Sequence, residues 1–130
     1  MKKVLRYGEI KKAIQAYRDL DYKIVLTQGT YDMIHVGHGR YLEEAKKHGD
    51  ILIVGVDSDA KVKKRKGKNR PIVPENERVE MLTYLRSVDH VVVKPLETPK
   101  WELIKLVRPD VLIATKATYT AEQLRQLREL

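Results

Sequence analysis

The sequence predicts an α/β domain, an open parallel sheet with helices on both faces. Three observations carry this. Strand-like and helix-like segments alternate along the chain with few gaps. Residues 51–56, Ile-Leu-Ile-Val-Gly-Val, are apolar at positions facing both sides of a sheet, as in strands covered on both faces. The 130 residues, 42% hydrophobic and 34% charged, suit one globular domain rather than a disordered chain.

Taken in order, Ile10, Ala13, Ile14, Tyr17 and Leu20 recur at helical spacing and predict an amphipathic first helix. Residues 23–27 read as a buried strand ended by the turn at Gly29. A helix is expected over 36–48, with Tyr41, Leu42 and Ala45 inward and Gly49 as its stop. The strand at 51–56 is followed by the segment 61–70, which reads as a basic loop. Val79, Met81, Leu82 and Leu85 form the stripe of a helix over 75–87, and 91–93 is a third strand. Thr98-Pro99 predicts a helix start, with Thr as cap and Pro in the first position. A fourth strand covers 111–114, and Thr120 with Gln123 is a capping-box pattern opening a last helix. Such β–α alternation predicts parallel pairing.

Composition narrows the function. No apolar run approaches the ~18 residues of a membrane span, and the first residues lack a signal-peptide apolar segment, so a cytoplasmic protein is the expectation. With no cysteine, disulfides, cysteine nucleophiles and thiolate zinc sites are excluded. The net charge of +8 is local: residues 61–70 hold seven of the 26 basic residues and no acidic one, leaving 19 basic against 18 acidic elsewhere. None of the seven Tyr or the one Trp falls within that run, so no base-stacking platform for nucleic acid is suggested there. Ligands of open parallel sheets bind outside the carboxyl ends of the strands. The turn after strand one, the basic segment after strand two and residues 115–119 after strand four are expected to converge at that edge.

The first of these turns carries the chemistry. In Gly29-Thr30-Tyr31-Asp32-Met33-Ile34-His35-Val36-Gly37-His38 two histidines straddle a glycine where a helix begins. Helix starts present unpaired N–H groups and partial positive charge, which attract anions. The histidines can add donors to phosphate oxygens, and Gly37 allows close approach to the backbone. A zinc site would need a third ligand, with only His48 and His90 left to supply one. A packing or capping role is the other alternative. The glycine spacing fits neither the dinucleotide fingerprint nor the Walker loop.

His35-Val36-Gly37-His38 resembles the HxGH signature of the nucleotidyltransferase superfamily, and Gly29-Thr30-Tyr31-Asp32 the G-T-F-D turn of its cytidylyltransferase-like branch. The resemblance continues through Gly49-Asp50, Val56-Asp57-Ser58-Asp59, Lys66-Gly67, Arg70-Pro71, Glu77-Arg78, Val88-Asp89, Thr98-Pro99 and Pro109-Asp110, covering about residues 23–116. It is nearest to bacterial heptose-1-phosphate adenylyltransferases of lipopolysaccharide core synthesis. Glycerol-3-phosphate cytidylyltransferases and archaeal FAD synthetases are similar but more distant. The resemblance implies a Rossmann-like fold of the HxGH nucleotidyltransferase type, in one domain over residues 1–130. It implies attack of an acceptor phosphate on the α-phosphate of a nucleoside triphosphate, with pyrophosphate leaving bound to Mg²⁺.

In that frame His35, His38 and Lys66 are the expected catalytic residues. Gly29, Thr30, Tyr31, Gly37, Arg78, Thr115, Lys116 and Tyr119 are expected to bind nucleotide, and Lys63 and Arg70 to bind acceptor phosphate. Arg78 is expected to reach the phosphates, and Asp32 either to brace the turn or to touch ligand. No protein-bound metal and no nucleic-acid or membrane partner are expected, and a homodimer is. Two departures stand out. The branch commonly has G-G-D-Y or G-D-D-W where this chain has Thr115-Lys116-Ala117-Thr118-Tyr119, which opens the choice between ATP and CTP. The family's I-S-[ST]-[ST] turn does not occur before Leu130, which implies a segment lacking at the C-terminus or a minimal member with impaired catalysis.

Overall fold

A computed structural model describes residues 3–114 and 119–130. The elements are α1 (Tyr7–Asp19), β1 (Ile24–Gly29), α2 (Val36–Lys46), β2 (Ile51–Asp57), α3 (Asp59–Lys66), α4 (Glu75–Thr83), β3 (His90–Lys94), α5 (Glu102–Val107), β4 (Val111–Ile113) and α6 (Ala121–Arg128). The strands form one parallel sheet in the order β3-β2-β1-β4.

The two-residue period of the strands explains the layers. Ile24, Leu26, Ile51, Ile53 and Val92 point to the side covered by α1 and α5. Val25, Leu52, Val54, Val56 and Val91 point to the side covered by α2 and α4. The chain steps from β1 to β2 to β3 in one direction, then crosses back to β4 on the far side of β1. With right-handed crossovers, that reversal sends α5 to the opposite face from α2 and α4. It also creates a switch point between β1 and β4, where a ligand crevice is expected at the carboxyl edge.

Three aspartates order the opposite, amino edge. Asp50 Oδ2 accepts from Lys23 N at 2.8 Å, Asp110 Oδ2 from Ile24 N at 2.8 Å and Asp89 Oδ2 from Leu52 N at 2.7 Å. Each satisfies a backbone donor where a ladder begins. Arg18 pairs with Asp110 at 2.7 Å and Lys46 with Asp89 at 2.5 Å.

Four expectations about elements are corrected. Residues 61–66 of the basic segment are helical rather than looped: Ser58 Oγ caps Lys61 N at 3.2 Å, Val62 is buried, and Gly67 at φ 101° ends α3. Asp59 at the start and the cations in the last turn suit the helix dipole. α5 opens not at Thr98-Pro99 but at Trp101, whose backbone is left-handed at φ 60°. α4 ends at Thr83, short of 87, and Met81 is 46% exposed rather than inward. Leu20 lies past the end of α1 and is 62% exposed. The Thr120–Gln123 capping box is present as expected.

Candidate nucleotide site

β1 runs out at Gly29, and the chain turns through Tyr31 (φ 57°) and Met33 (φ 50°), both left-handed. Side chains rarely adopt that conformation, and it persists where surroundings over-determine it. Here they do. The Tyr31 ring is buried beneath Gly29, where an added Cβ would stand 3.0 Å from the ring, and it lies 5.7 Å from the His38 ring. Burial is the main cause pushing the Tyr31 hydroxyl pKa upward. Asp32 closes the turn by accepting from Ile72 N at 2.8 Å and Val73 N at 2.9 Å. Desolvation pushes the Asp32 carboxyl up, but those two bonds, with Arg78 and Arg70 nearby, bring it below its ordinary value. Of the two roles expected for Asp32, the structure shows the bracing one.

The two histidines form a reciprocal cap on α2. His35 is the N-cap residue, and its Nδ1 accepts from Gly37 N at 3.0 Å. His38 Nδ1 accepts from His35 N at 3.2 Å, and the two ring centroids are 4.3 Å apart. This is capping-box logic with imidazoles in place of the usual Ser and Glu. An Nδ1 that accepts must carry a lone pair, so the ring proton sits on Nε2. Both rings therefore present an N–H donor at the helix start. Burial, and then the neighbouring His35, lower the His38 pKa, which favours this neutral form. Gly37 serves the cap as well, because a Cβ there would stand 2.7 Å from His35 Cε1.

Behind the turn lies Arg78, 1% exposed and held by four hydrogen bonds. It donates to Val73 O at 2.9 Å, Thr30 O at 2.7 Å, Asp57 O at 2.8 Å and Asp59 Oδ1 at 2.8 Å. This guanidinium locks the β1 turn, the end of β2 and the start of α3 together. Arg65 does reach the edge, donating to Thr30 Oγ1 at 2.7 Å and pairing with buried Asp57 at 2.9 Å. Lys94, at the end of β3, lies 3.9 Å from the other Asp57 oxygen. Lys63, Lys66 and Arg70 are exposed, on the last turn of α3 and in the segment behind it. Gln28 Nε2 donates to the Tyr119 hydroxyl at 2.8 Å, which closes the crevice between the ends of β1 and β4. Thr115 and Lys116 lie outside the described residues.

The expected convergence therefore holds for the turn, the basic helix and Tyr119. Asp57, Arg65, Lys94 and Gln28 were missed as site residues. The signal for three of them was the strand period, which puts Gln28, Asp57 and Lys94 on one face at the carboxyl ends of their strands. Cavities of about 450 Å³ and about 610 Å³ adjoin the turn, the larger one lined by His35, Val36, Arg40 and Glu43, and a smaller one lies on the other face of the sheet. The one of about 450 Å³ lies against α4 and is lined by Glu77 and Glu80, charges that disfavour polyphosphate. The smaller one, of about 220 Å³, lies over Gln28, Lys94 and Tyr119 and is lined by three lysines.

The molecule is thus a parallel α/β domain with an imidazole-capped helix start and a cationic helix at its carboxyl edge. The comparisons make the class specific: a model described as cytidylyltransferase-like matches residues 26–130. The chain belongs to the cytidylyltransferase-like family, as the sequence resemblance implied. It is 49% identical over 107 residues to the bifunctional protein HldE of Aliarcobacter butzleri, covering 82% of this chain and 22% of that protein. Against HldE of Helicobacter pylori G27 the identity is 46% over 104 residues, covering 80% and 22%. The chain thus spans about a fifth of the length of these curated relatives. A lipopolysaccharide core biosynthesis protein from Thermoplasma volcanium superposes with TM-score 0.65 at 29% identity, covering 81% of this chain and 88% of that one. The fold is shared with a pantoate–β-alanine ligase from Francisella tularensis, TM-score 0.72 at 14% identity, covering 99% and 62%.

Proposed function

We propose that this domain transfers a nucleoside monophosphate, AMP from ATP, to a phosphorylated sugar or polyol. An oxygen of the acceptor phosphate forms a bond to the α-phosphorus. The bond from that phosphorus to the bridging oxygen breaks, and the electron pair leaves with pyrophosphate. Nothing covalent forms on the protein. Such a reaction rests on positioning and on neutralising charge on phosphate oxygens. The observation carrying the proposal is the paired imidazole cap, in which both Nδ1 atoms accept backbone N–H groups and so leave two Nε2–H donors at the start of α2. The exposed Lys63 and Lys66 supply mobile positive charge near that edge, and Lys66 belongs with the histidines in the catalytic set.

The donors of this turn are N–H groups and cations, which complement phosphate oxygens rather than a bare metal. Mg²⁺ accordingly belongs to the proposal as an ion carried on the nucleotide's phosphates, where it neutralises their charge. The lipopolysaccharide-core neighbour and the heptose-phosphate resemblance favour a sugar phosphate as acceptor. The homodimer and the cytoplasmic location belong to the same proposal. Among the described residues no helix is long and apolar enough to cross a membrane.

Pyrophosphate release measured across a panel of sugar and polyol phosphates with ATP tests this reading. His38→Ala should lower turnover on the order of a hundredfold with the fold intact, the scale typical of a lost charge-stabilising donor. Unchanged turnover would remove His38 from the chemistry. Nucleotide binding with no pyrophosphate released from any acceptor would make this a nucleotide-binding protein instead.

A further inference from the structure

The 220 Å³ cavity lies on the opposite face of the sheet from the histidines. Gly55 of β2 lets three of the cavity's lining side chains pack down on the sheet, because a Cβ there would collide with Leu103 at 2.6 Å and crowd Lys94 and Gln28 at 3.2 and 3.3 Å. The cavity's charge is unbalanced. Lys61, Lys94 and Lys100 line it against Glu102 alone. The nearest other carboxylate, Asp57, stands 3.9 Å from Lys94 and is already held by Arg65 at 2.9 Å. Lys94 is half-buried with one distant, shared counter-charge. Desolvation, together with Lys61 and Arg65, lowers its pKa against the pull of Asp57. A half-buried ammonium with a distant, shared counter-charge, in a cavity with three lysines to one carboxylate, suits an anion.

We infer that Lys94 and Lys61 hold the phosphate of the acceptor, which enters over the α1/α5 face and reaches across the end of β1 toward the α2 N-terminus. This rests on the transferase reading and reassigns acceptor binding from Lys63 and Arg70, which are exposed. In-line displacement supports the placement, because attacking and leaving oxygens lie on opposite sides of the α-phosphorus. A nucleotide on the histidine side and an acceptor from the other face meet that demand. The cavity also carries hydroxyl-matching groups. Burial, then Glu102 and Asp57, push the Tyr7 hydroxyl to about 12, so it stays a donor at neutral pH. With Gln28 and Tyr119 it suits a polyhydroxy body on the phosphate.

The test is calorimetric titration of the full chain with a non-hydrolysable ATP analogue, and with inorganic phosphate in the presence and absence of saturating analogue. Wild type should bind phosphate with the analogue bound. Lys94→Met, which keeps the stem and removes the charge, should weaken phosphate at least tenfold and leave analogue affinity within twofold. Lys94→Arg should recover most of the phosphate affinity, which a purely structural role would not predict. Thermal unfolding of each variant confirms the fold. Phosphate affinity unchanged in Lys94→Met, or no phosphate binding by wild type, overturns the assignment. So does equal weakening of phosphate and analogue, which would give Lys94 to the nucleotide. An analogue that never binds wild type counts against the transferase reading alone, and loss of phosphate in Lys94→Met then still supports the anion site.

Discussion

His35 does two things, and substitutions can separate them. Its Nδ1 caps α2, and its Nε2–H is free for a ligand. His35→Asn retains a good N-cap and loses the distal donor, so stability should hold while turnover falls. His35→Ala should lose turnover and also about 1 kcal/mol of cap energy, roughly 4 °C in melting temperature at this size. Equal turnover in the His35→Asn variant and the wild-type protein would leave His35 only its cap. His38 adds a pH dependence with a definite sign. Its folded pKa lies below the ordinary histidine value, chiefly through burial. The unfolded chain therefore binds that proton more readily, and the contribution to stability is full above the ordinary range of about 6.5 and lost as pH falls. Protonation also removes the lone pair that accepts from His35 N. The acid limb of kcat/KM should accordingly fall below about 6.5, and His38→Gln should abolish it. The histidine pair was legible in the sequence as phosphate donors. The cap was left open because His-x-x-His is not a usual capping-box pattern, and only its position at the N-cap reveals it.

At the scale of elements, the carboxyl edge is held by one buried guanidinium. Arg78 sits in the first turns of α4 and ties down Thr30, Asp57, Val73 and Asp59. Removing a partner from a buried charged network typically costs about 3–5 kcal/mol. Arg78→Met should therefore destabilise by that order, measured by urea unfolding, and Arg78→Lys should be nearly as damaging, because an ammonium cannot span four acceptors in the guanidinium plane. A loss below about 1 kcal/mol, well under the range for such networks, would show that the lock is dispensable. This bracing was not legible in the sequence, because an arginine at a helix start looks the same whether it faces ligand or core. The basic segment was misread for a related reason: seven cations in ten residues hide the helical signal, which rests on the Ser58 cap and on one inward side chain, Val62. The aspartates of the amino edge were visible as parts of a resemblance, but their work at the strand starts needed the register. They also set an acid limit. Burial raises the Asp110 carboxyl, but the bonds from Ile24 N and Arg18 bring it below its ordinary value. Its contribution is present above the ordinary carboxylate range near about 4 and is lost as pH falls through the lower folded value.

For the molecule as a whole, the alternation of elements was readable but the strand order was not, because periodicity does not say which neighbour a strand pairs with. The order follows from crossover hand and from which face each helix covers. It makes the carboxyl edge of β1 a meeting place, with donors on the α2 side and lysines on the α5 side. A nucleotide that binds across this edge touches the β1 turn, α2 and α3 together, so its binding energy should appear in global unfolding. A ligand specific for the folded state at 100 times its dissociation constant adds ~2.7 kcal/mol, roughly 10 °C for a chain of this length. Thermal shifts with ATP, CTP, GTP and UTP, each with Mg²⁺ and beside its monophosphate, measure this directly. We expect the triphosphates to exceed the monophosphates, because the cap and the cationic helix read phosphate charge, and ATP to exceed the others. A shift with CTP alone would move the base preference to a cytidylyl donor and the acceptor toward a polyol phosphate. Equal shifts from triphosphate and monophosphate would show that the imidazole cap does not hold the β- and γ-phosphates. No shift from any of the four would remove the nucleotide from this turn.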